Sequence, residues 1–242
     1  MRLALIGDPV AHSRSPAIAA RLLEEAGVAG GYEAIRVRAG DVATTLARLR
    51  TQDYDGCNVT SPLKEEAFAV CESLRPCAQK IRAVNTVRFG ERTVGTNTDG
   101  IGAAGALREV LGALRGREVL VLGSGPTARA AITALGDEGV RLWLWARSEE
   151  KMRRICAEFG ALAYARGTQI ADAAFCALPP NADLPERIRE ALRAVPTVMD
   201  ANYGPRATLE AALSRSVVDG SRMLELQARA SLHFWLEKEV RS

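Results

Sequence analysis

Histidine is scarce in this sequence, and its cysteines form no recognisable pattern. The two histidines, His12 and His233, lie far apart with no cluster of other ligands around them, which argues against a zinc site or any other metal centre. The cysteine count is odd and no C-x-x-C pair occurs, which argues against a disulfide framework. We therefore expect most of the cysteines to be small buried hydrophobic residues. The five are Cys57, Cys71, Cys77, Cys156 and Cys176.

Long apolar runs and a strong charge imbalance are also missing. No run reaches the ~18 residues of a membrane helix, and the N-terminus lacks the apolar region and cleavage site of a signal peptide. We therefore expect a cytoplasmic protein without a membrane partner. The net charge is only +3 and the arginines are spread along the chain, which argues against nucleic acid as a partner. The balance of 48% hydrophobic and 25% charged residues is that of a globular protein.

Short apolar segments alternate with helical patterns, which predicts an α/β fold with a largely parallel sheet. The 242 residues allow one large domain or two small ones, and we expect two lobes. The first is a mainly parallel α/β lobe over 1–99, completed by a C-terminal helix in 216–242. The second, over 100–215, is a Rossmann-type dinucleotide-binding lobe. Predicted strands cover 2–7, 32–37, 56–59, 84–89, 93–96, 118–122, 141–145, 174–177 and 197–200. Predicted helices cover 16–26, 40–52, 64–71, 100–111, 127–135 and 221–239.

A glycine turn follows the predicted buried strand at 118–122 and opens a helix. Gly123 suits the tight turn, Gly125 lets the backbone approach a pyrophosphate, and Ala128 permits close packing of helix on strand. The amide groups and dipole of a helix N-terminus favour phosphate. The alternative is a tight turn without a ligand. The predicted cofactor-binding residues of this turn are Gly123, Ser124, Gly125, Pro126, Thr127 and Ala128.

The residues after the strand at 141–145 bear on which dinucleotide binds. An NAD site has an acidic residue there, whereas this chain has Arg147 and Ser148, with Lys151 shortly after. An arginine fork can pair with the 2′-phosphate of NADP, so NADP is favoured and NAD is the alternative. Glu149 and Glu150 would weaken a site for the 2′-phosphate, unless they are solvated acids at a helix start.

Four polar segments follow predicted strands or turns, where ligands bind in open α/β sheets. Hydroxyls, amides, one lysine and one aspartate suit a substrate with a carboxylate and several hydroxyls. The segments are His12–Pro16, Asn58–Lys64, Ala83–Thr86 and Gly95–Gly100. Taken singly, Ser15 and Asp99 could instead be helix caps, and Lys64 a solvated surface lysine.

These segments resemble the motifs of the shikimate dehydrogenase family over nearly the whole chain. The resemblance rests on H-S-x-S-P at 12–16, N-V-T-x-P-x-K at 58–64, A-V-N-T at 83–86, N-T-D-G at 97–100 and D-G-x-x-M-L-x-x-Q-A at 219–228. It implies reversible reduction of 3-dehydroshikimate to shikimate with NADPH, a step of aromatic amino acid biosynthesis on the chorismate pathway. It also implies that Lys64 and Asp99 form the catalytic pair. The substrate-binding residues that it implies are Ser13, Ser15, Thr60, Asn85, Tyr203 and Gln227, together with Asp99.

The chemistry of these residues agrees with such a reaction. Reduction of a ketone needs a proton donor for the developing alkoxide, and no histidine is well placed, so Lys64 is the candidate acid. Its ammonium group can also stabilise the negative charge directly. Burial would disfavour that ammonium form, and a neighbouring Asp99 would favour it.

The chain departs from the family pattern in its cofactor half. Pro126 stands where the family's G-x-G-G turn ends in glycine, and Ala146 replaces the asparagine of N-R-T. The segment that begins at Cys176 lacks the usual asparagine and the later Gly-Met. Alternatives are therefore a quinate or aminoshikimate dehydrogenase, although Ser15 argues mildly against quinate, and a catalytically weak shikimate-binding relative. Whether the chain is a monomer or a homodimer stays open.

Overall fold

The computed structural model describes residues 1–165 and 171–237, and the chain divides into two compact units. Unit 1 comprises Met1–Thr98 and the residues from Gln227 onward, and unit 2 is Asp99–Leu226. Both units are built from strands and helices, so the predicted two-lobed α/β fold class is confirmed.

The described residues of unit 1 form six strands and four complete helices. The strands are β1 (Arg2–Gly7), β2 (Gly31–Arg36), β3 (Gly56–Val59), β4 (Ser73–Leu74), β5 (Thr86–Arg88) and β6 (Val94–Thr96). The helices are α1 (Ser15–Glu25), α2 (Val42–Thr51), α3 (Lys64–Val70) and α4 (Pro76–Ile81). The strands form one sheet in the order β2-β1-β3-β5-β6-β4.

Alternation of side chains along β1 explains why this sheet is buried on both faces. Ala4 and Ile6 belong to one apolar cluster, and Leu3 belongs to another together with Phe234 and Trp235. Because β1 runs parallel to β2 and β3, their carboxyl ends reach the same edge of the sheet. The β5–β6 pair is antiparallel, and both strands are shorter than the predicted strands at 84–89 and 93–96.

Within its described residues, unit 2 has a five-stranded sheet in which every pair is parallel. Its strands are β7 (Glu118–Leu122), β8 (Arg141–Trp145), β9 (Leu162–Ala163), β10 (Ala173–Cys176) and β11 (Thr197–Asp200). Its complete helices are α5 (Asp99–Leu111), α6 (Pro126–Asp137), α7 (Glu149–Phe159), α8 (Glu186–Ala194) and α9 (Leu209–Leu213). The last helix, α10 (Ser221–Leu236), begins in unit 2 and ends in unit 1.

The strand order β11-β10-β7-β8-β9 is that of a doubly wound sheet. The chain runs outward from β7 to β9 and then returns to β10 on the other side of β7. The order therefore reverses between β7 and β10, and this switch point is where such sheets bind ligands. The glycine turn follows β7, so it lies at the switch point.

The division of the chain differs from the predicted one over 216–226. Val218 forms a bridge with Met199, and the amide of Asp200 donates to the carbonyl of Val218 at 2.8 Å. These bonds place the segment before α10 in unit 2, and α10 begins only at Ser221. Sequence periodicity did not reveal this short extension of the sheet.

The starts of α1 and α5 decide whether Ser15 and Asp99 are helix caps. Ser15 is the first residue of α1 and Arg14 occupies the N-cap, so Ser15 does not cap that helix. Asp99 is likewise the first residue of α5 rather than a cap before it. Pro126 is the first residue of α6, after an N-cap at Gly125, so the helix begins one residue before the predicted start at 127.

The described helices include none that is long and apolar enough to span a membrane. Within the same residues, no group of three or more histidine, cysteine or acidic side chains is placed to hold a metal ion. All five cysteines are free thiols, and Cys57 and Cys176 are buried.

Candidate active site

The loops after β1 and β3 are joined by backbone hydrogen bonds at the carboxyl edge of the unit 1 sheet. The amide of Thr60 donates to the carbonyl of Ile6 at 2.9 Å, and the amide of Asp8 donates to that of Ser61 at 3.3 Å. Gly7 allows this approach, because a Cβ there would lie 2.3 Å from the Thr60 methyl group. Gly7 was not singled out from the sequence, yet it makes room for a predicted substrate residue.

Lys64 and Asn85 are brought to the same edge by two further bonds. The amide of Val84 donates to the carbonyl of Lys64 at 2.9 Å, and the amide of Val59 donates to the carbonyl of Asn85 at 2.8 Å. Lys64 is the first residue of α3 and is only 8% exposed. This burial contradicts the alternative that Lys64 is an ordinary solvated lysine.

Asn85 and Gln227 belong to one polar cluster, although 142 residues separate them in the chain. The side-chain amide of Asn85 donates to Thr98 Oγ1 at 3.0 Å and approaches Gln227 Oε1 at 3.4 Å. Asn85 Oδ1 in turn accepts from the amide of Thr98 at 2.8 Å. Thr98 therefore connects two predicted substrate residues.

Asn58 is a member of this cluster that was not among the predicted site residues. Its side-chain nitrogen lies 3.1 Å from Asn85 O and 2.9 Å from Thr86 Oγ1. Its Oδ1 accepts from the Tyr32 hydroxyl at 2.8 Å. Asn58 opens the N-V-T-x-P-x-K motif, so the sequence did contain a signal for it.

Ser13 and Ser15 lie in the loop after β1 and at the start of α1. The amide of Ser15 donates to Ser13 Oγ at 3.2 Å, which holds the two serines together. Ser15 is buried beside a small cavity that Tyr32 and Asn58 also line. The predicted carboxylate-binding serines thus adjoin the polar cluster within unit 1.

Asp99 lies in unit 2, whereas Lys64 lies in unit 1. Asp99 is 5% exposed, and its Oδ2 accepts from the hydroxyl of Thr127 at 3.4 Å. Helices α5 and α6 pack closely at Gly100, where a Cβ would lie 2.7 Å from the carbonyl oxygen of Ala130. This close packing brings the Asp99 carboxylate within reach of the Thr127 hydroxyl. A predicted catalytic residue is therefore bonded to the predicted cofactor turn.

The glycine turn has the geometry that a phosphate-binding turn requires. Gly123 has φ +121°, and a Cβ there would lie 2.8 Å from the carbonyl oxygen of Ala177. A Cβ on Gly125 would meet nothing within 4 Å, so the space above the turn is open. Ala128 is fully buried against the sheet. The turn fits a pyrophosphate held at the N-terminus of α6, with Pro126 supplying no N–H.

Arg147, Ser148 and Lys151 follow β8 at the same carboxyl edge as the glycine turn. The side chains of Arg147 and Lys151 are exposed. Ser148 is the N-cap of α7, where its Oγ accepts from the amide of Lys151 at 3.2 Å. Glu149 pairs with Arg153 along α7, so its carboxylate is engaged away from Arg147.

Tyr203 lies after β11, in a loop held by the buried Asp200. Asp200 Oδ1 accepts from the amide and from the side-chain nitrogen of Asn202 at 2.9 and 2.8 Å. Asn202 also donates to the carbonyl of Leu178 at 2.9 Å, which ties this loop to the one after β10. Burial raises the pKa of Asp200, while the bonds from Asn202 oppose that rise. Asp200 was missed in the sequence because a strand-end aspartate has no distinctive pattern.

Cys176 ends β10, where the family segment has asparagine nearby. Burial raises the pKa of its thiol to about 12, so the thiol stays protonated near neutral pH. Only a thiolate is a strong nucleophile. Cys176 is therefore a packing residue beside the switch point rather than a reactive group.

A doubly wound sheet with this glycine turn is typical of a dinucleotide-binding domain. Comparisons with known proteins agree with that class. The model of the shikimate dehydrogenase substrate binding domain matches residues 5–87. A shikimate dehydrogenase (NADP(+)) of Xanthomonas euvesicatoria is 36% identical over 254 residues, covering 97% of this chain and 90% of that protein. One from Acidiphilium cryptum is 37% identical, covering 96% and 88%.

Solved structures give the same result. Shikimate 5-dehydrogenase of Thermus thermophilus, in complex with NADP(H) and shikimate, matches with a TM-score of 0.86 and 33% identity, covering 98% of this chain and 93% of that one. Shikimate dehydrogenase of Aquifex aeolicus matches with a TM-score of 0.86 and 27% identity, covering 99% and 94%. The chain belongs to the shikimate dehydrogenase family, which confirms the resemblance drawn from its motifs.

Proposed function

We propose that this chain is an NADP-dependent shikimate dehydrogenase that reversibly reduces 3-dehydroshikimate to shikimate in aromatic biosynthesis. The observation that carries the proposal is the polar cluster at the carboxyl edge of unit 1. There a buried lysine, two amide side chains and several hydroxyls gather on segments far apart in sequence. Such a set of groups suits a small acid with several hydroxyls, since buried amides and hydroxyls need hydrogen-bonding partners.

The substrate would be bound both at its carboxylate and at its hydroxyl groups. Ser13 and Ser15 bind its carboxylate, with Tyr203 nearby. Amide and hydroxyl side chains bind its hydroxyl groups; these are Thr60, Asn85, Asp99 and Gln227. This assignment follows the family motifs and agrees with the position of the serines beside the polar cluster.

Lys64 and Asp99 act at the carbonyl that is reduced. The Lys64 ammonium group donates a proton to the carbonyl oxygen as negative charge develops there. Because Lys64 is only 8% exposed, little water competes for that proton. We expect Asp99 to align Lys64 and a substrate hydroxyl at that carbonyl. In the reverse direction, Lys64 accepts the proton from the shikimate hydroxyl.

The nicotinamide dinucleotide supplies the hydride when it is bound. Residues of the turn after β7 hold its pyrophosphate, namely Gly123, Ser124, Gly125, Pro126, Thr127 and Ala128. Arg147, Ser148 and Lys151 hold the adenosine end. The exposed guanidinium of Arg147 can pair with a 2′-phosphate in a bidentate manner, which selects NADP over NAD.

Initial rates over a matrix of substrates and cofactors test this proposal. We expect turnover of 3-dehydroshikimate with NADPH, weaker turnover with NADH, and slow oxidation of quinate compared with shikimate. Absence of turnover with both nicotinamides would refute the proposal. Tight shikimate binding in calorimetry without NADP(H) binding would favour a shikimate-binding relative that is not an enzyme.

Lys64→Ala tests the mechanism in the same assay. We expect kcat to fall by about 10²-fold or more, as for other acid–base groups, with a smaller change in KM. Lys80→Ala is the control, because Lys80 is an exposed lysine of the same unit. An unchanged kcat in Lys64→Ala would remove Lys64 from the chemistry.

We further expect a cytoplasmic enzyme that is a monomer or a homodimer. Cell fractionation and light scattering of the purified protein test these two expectations.

A further inference from the structure

A groove at the end of β2 is lined by three arginines. It lies within unit 1 and has a volume of about 360 Å³, the size of a small-molecule site. Segment 36–38 lines one part of it, and residues 41, 45 and 48 line another, with the spacing of one side of α2. None of these residues is proposed to bind the substrate or the cofactor. The groove residues are Arg36, Val37, Arg38, Asp41, Thr45 and Arg48.

Arg38 and Arg48 bring unpaired positive charge to this groove. Both side chains are exposed, and within the described residues neither guanidinium group has a hydrogen-bond or ion-pair partner. An arginine on another exposed helix does pair with an acid, as Arg153 does with Glu149. Positive charges that gather in one groove without partners repel each other, so an anion bound between them would stabilise the arrangement.

The loop that follows Arg38 is held in place by Glu66 of α3. The Glu66 carboxylate accepts from the amides of Gly40 and Val42, at 2.9 Å each. Gly40 has φ +95°, a conformation that favours glycine. Because Glu66 occupies these amides at the start of α2, the attraction of the groove for an anion comes from the arginines. A loop that is fixed before binding loses little conformational entropy when a ligand binds.

The acidic residues around the groove narrow the choice of ligand. Arg36 is partly neutralised, because its Nε donates to Asp8 Oδ1 at 2.7 Å. Asp41 brings a carboxylate to the groove, which repels a second phosphate but accepts hydrogen bonds from hydroxyl groups. Thr45 adds a hydroxyl of its own. A ligand that combines one phosphate with several hydroxyls therefore suits the groove better than a polyphosphate does.

We propose that this groove binds a phosphate monoester of a small polyol, such as a sugar phosphate. Arg38 and Arg48 bind the phosphate oxygens through their planar guanidinium groups, and Arg36 adds positive charge. Asp41 and Thr45 bind hydroxyl groups of the same ligand. The site is separate from the proposed reaction, so its occupation can be measured without turnover.

Calorimetric titration of the full-length protein with ribose 5-phosphate tests the proposal. NADP⁺ and shikimate are present at saturating concentrations, so that the probe cannot occupy the cofactor turn or the substrate site. We expect saturable binding that weakens as the salt concentration rises. Arg38→Ala and Arg48→Ala should each raise Kd about tenfold or more, as for the loss of a hydrogen bond to a charged group. Arg38→Lys keeps the charge but not the planar group, so its Kd should lie between those of the wild type and Arg38→Ala.

Two further variants make the result specific. Arg92→Ala is the matched control, because Arg92 is an exposed arginine of the same unit, between β5 and β6 and outside the groove. It lowers the net charge equally, yet Kd should stay within about twofold of the wild type. Asp41→Asn removes a repulsive charge and should tighten the binding of inorganic phosphate about twofold or more. In the same variant, the preference for ribose 5-phosphate over inorganic phosphate should shrink.

The outcomes separate a built site from general attraction by charge. Loss of binding in Arg38→Ala and Arg48→Ala, with binding kept in Arg92→Ala, would support the proposal. It would be overturned if the wild type does not bind the probe, or if all three variants lose binding equally. An unchanged preference in Asp41→Asn would overturn the sugar phosphate as the ligand class. If an alanine variant does not fold, the lysine variant at that position replaces it, and an unchanged Kd there would overturn the proposal. The proposed function is tested by turnover and is independent of these results.

Discussion

The hydroxyl of Thr127 donates a hydrogen bond to the carboxylate of Asp99 at 3.4 Å, within unit 2. Thr127 is in the first turn of α6, directly after the glycine turn, and Asp99 begins α5. Packing of these two helices therefore joins a residue proposed for the chemistry to one proposed for the cofactor. The hydrogen bond from Thr127 therefore limits the rotation of the Asp99 carboxylate.

Thr127→Val removes this donor while keeping the shape of the side chain. We expect kcat/KM for shikimate to fall about three- to tenfold, less than for a short bond to a charged group because 3.4 Å is long. Thr127→Ser keeps the hydroxyl and should stay close to the wild type. Equal losses in the two variants would show that the methyl group, rather than the bond to Asp99, matters.

Arg147→Ala tests the choice between the two nicotinamide cofactors. The side chain is exposed after β8, where a 2′-phosphate would lie, so we expect KM for NADPH to rise far more than KM for NADH. The control is Arg187→Ala, an exposed arginine on α8. Initial rates at varied cofactor concentration measure the effect. Equal rises for both cofactors would argue against a contact with the 2′-phosphate.

Gly56→Ala tests how tightly α10 packs on the sheet of unit 1. Trp235 Nε1 donates to the carbonyl of Val87 at 2.8 Å, and a Cβ on Gly56 would lie 2.4 Å from each of these two atoms. Since one of them is backbone, the site cannot relax cheaply, and we expect a loss of about 3 kcal/mol in the free energy of unfolding.

Gly31→Ala is the matched control for this test, because a Cβ there would meet nothing within 4 Å. Urea unfolding of both variants measures the difference. Equal stabilities of the two variants would contradict the predicted clash.

Asp200 should make stability depend on pH in the acid range. Burial raises the pKa of Asp200 above its ordinary 3.8, and the nearby Asp219 acts in the same direction, against the bonds from Asn202 and Leu209. The folded state thus holds this proton more tightly than the unfolded state. The contribution of Asp200 to stability is therefore full below pH 3.8 and falls as pH rises through the folded-state pKa.

Asp200→Asn removes this titration while keeping an oxygen that accepts from Asn202. Urea midpoints of the variant and the wild type are measured from pH 3 to 7. The midpoint of the variant minus that of the wild type should increase with pH, because only the wild type loses the contribution of Asp200. Asp183→Asn, at a side chain that is 96% exposed, should follow the wild type. Identical pH profiles for Asp200→Asn and the wild type would contradict the raised pKa.

Much of the fold could be read from the sequence where the local signal is strong. The buried strand β7, the glycine turn and α6 were predicted within two residues of their ends, because apolar runs, glycine and proline act locally. The short strands β4 and β9 and the short helices α4 and α9 were not predicted, and no bounds were predicted for the longer helices α7 and α8. Elements of two to six residues depend on their neighbours for stability, and their own sequences contain little periodicity.

Lys64 and Asp99 could be proposed as the catalytic pair from the sequence, since their residue types and motifs are local properties of the chain. The sequence by itself also determined the family and the α/β class. Only the tertiary structure decided that Lys64 is buried, that Asp99 accepts from Thr127, and that Ser231 joins Asn58 to Thr98. Hydrogen bonds between residues more than a hundred positions apart arise only when strands and helices pack, because no local pattern specifies which distant side chain will meet a buried polar group.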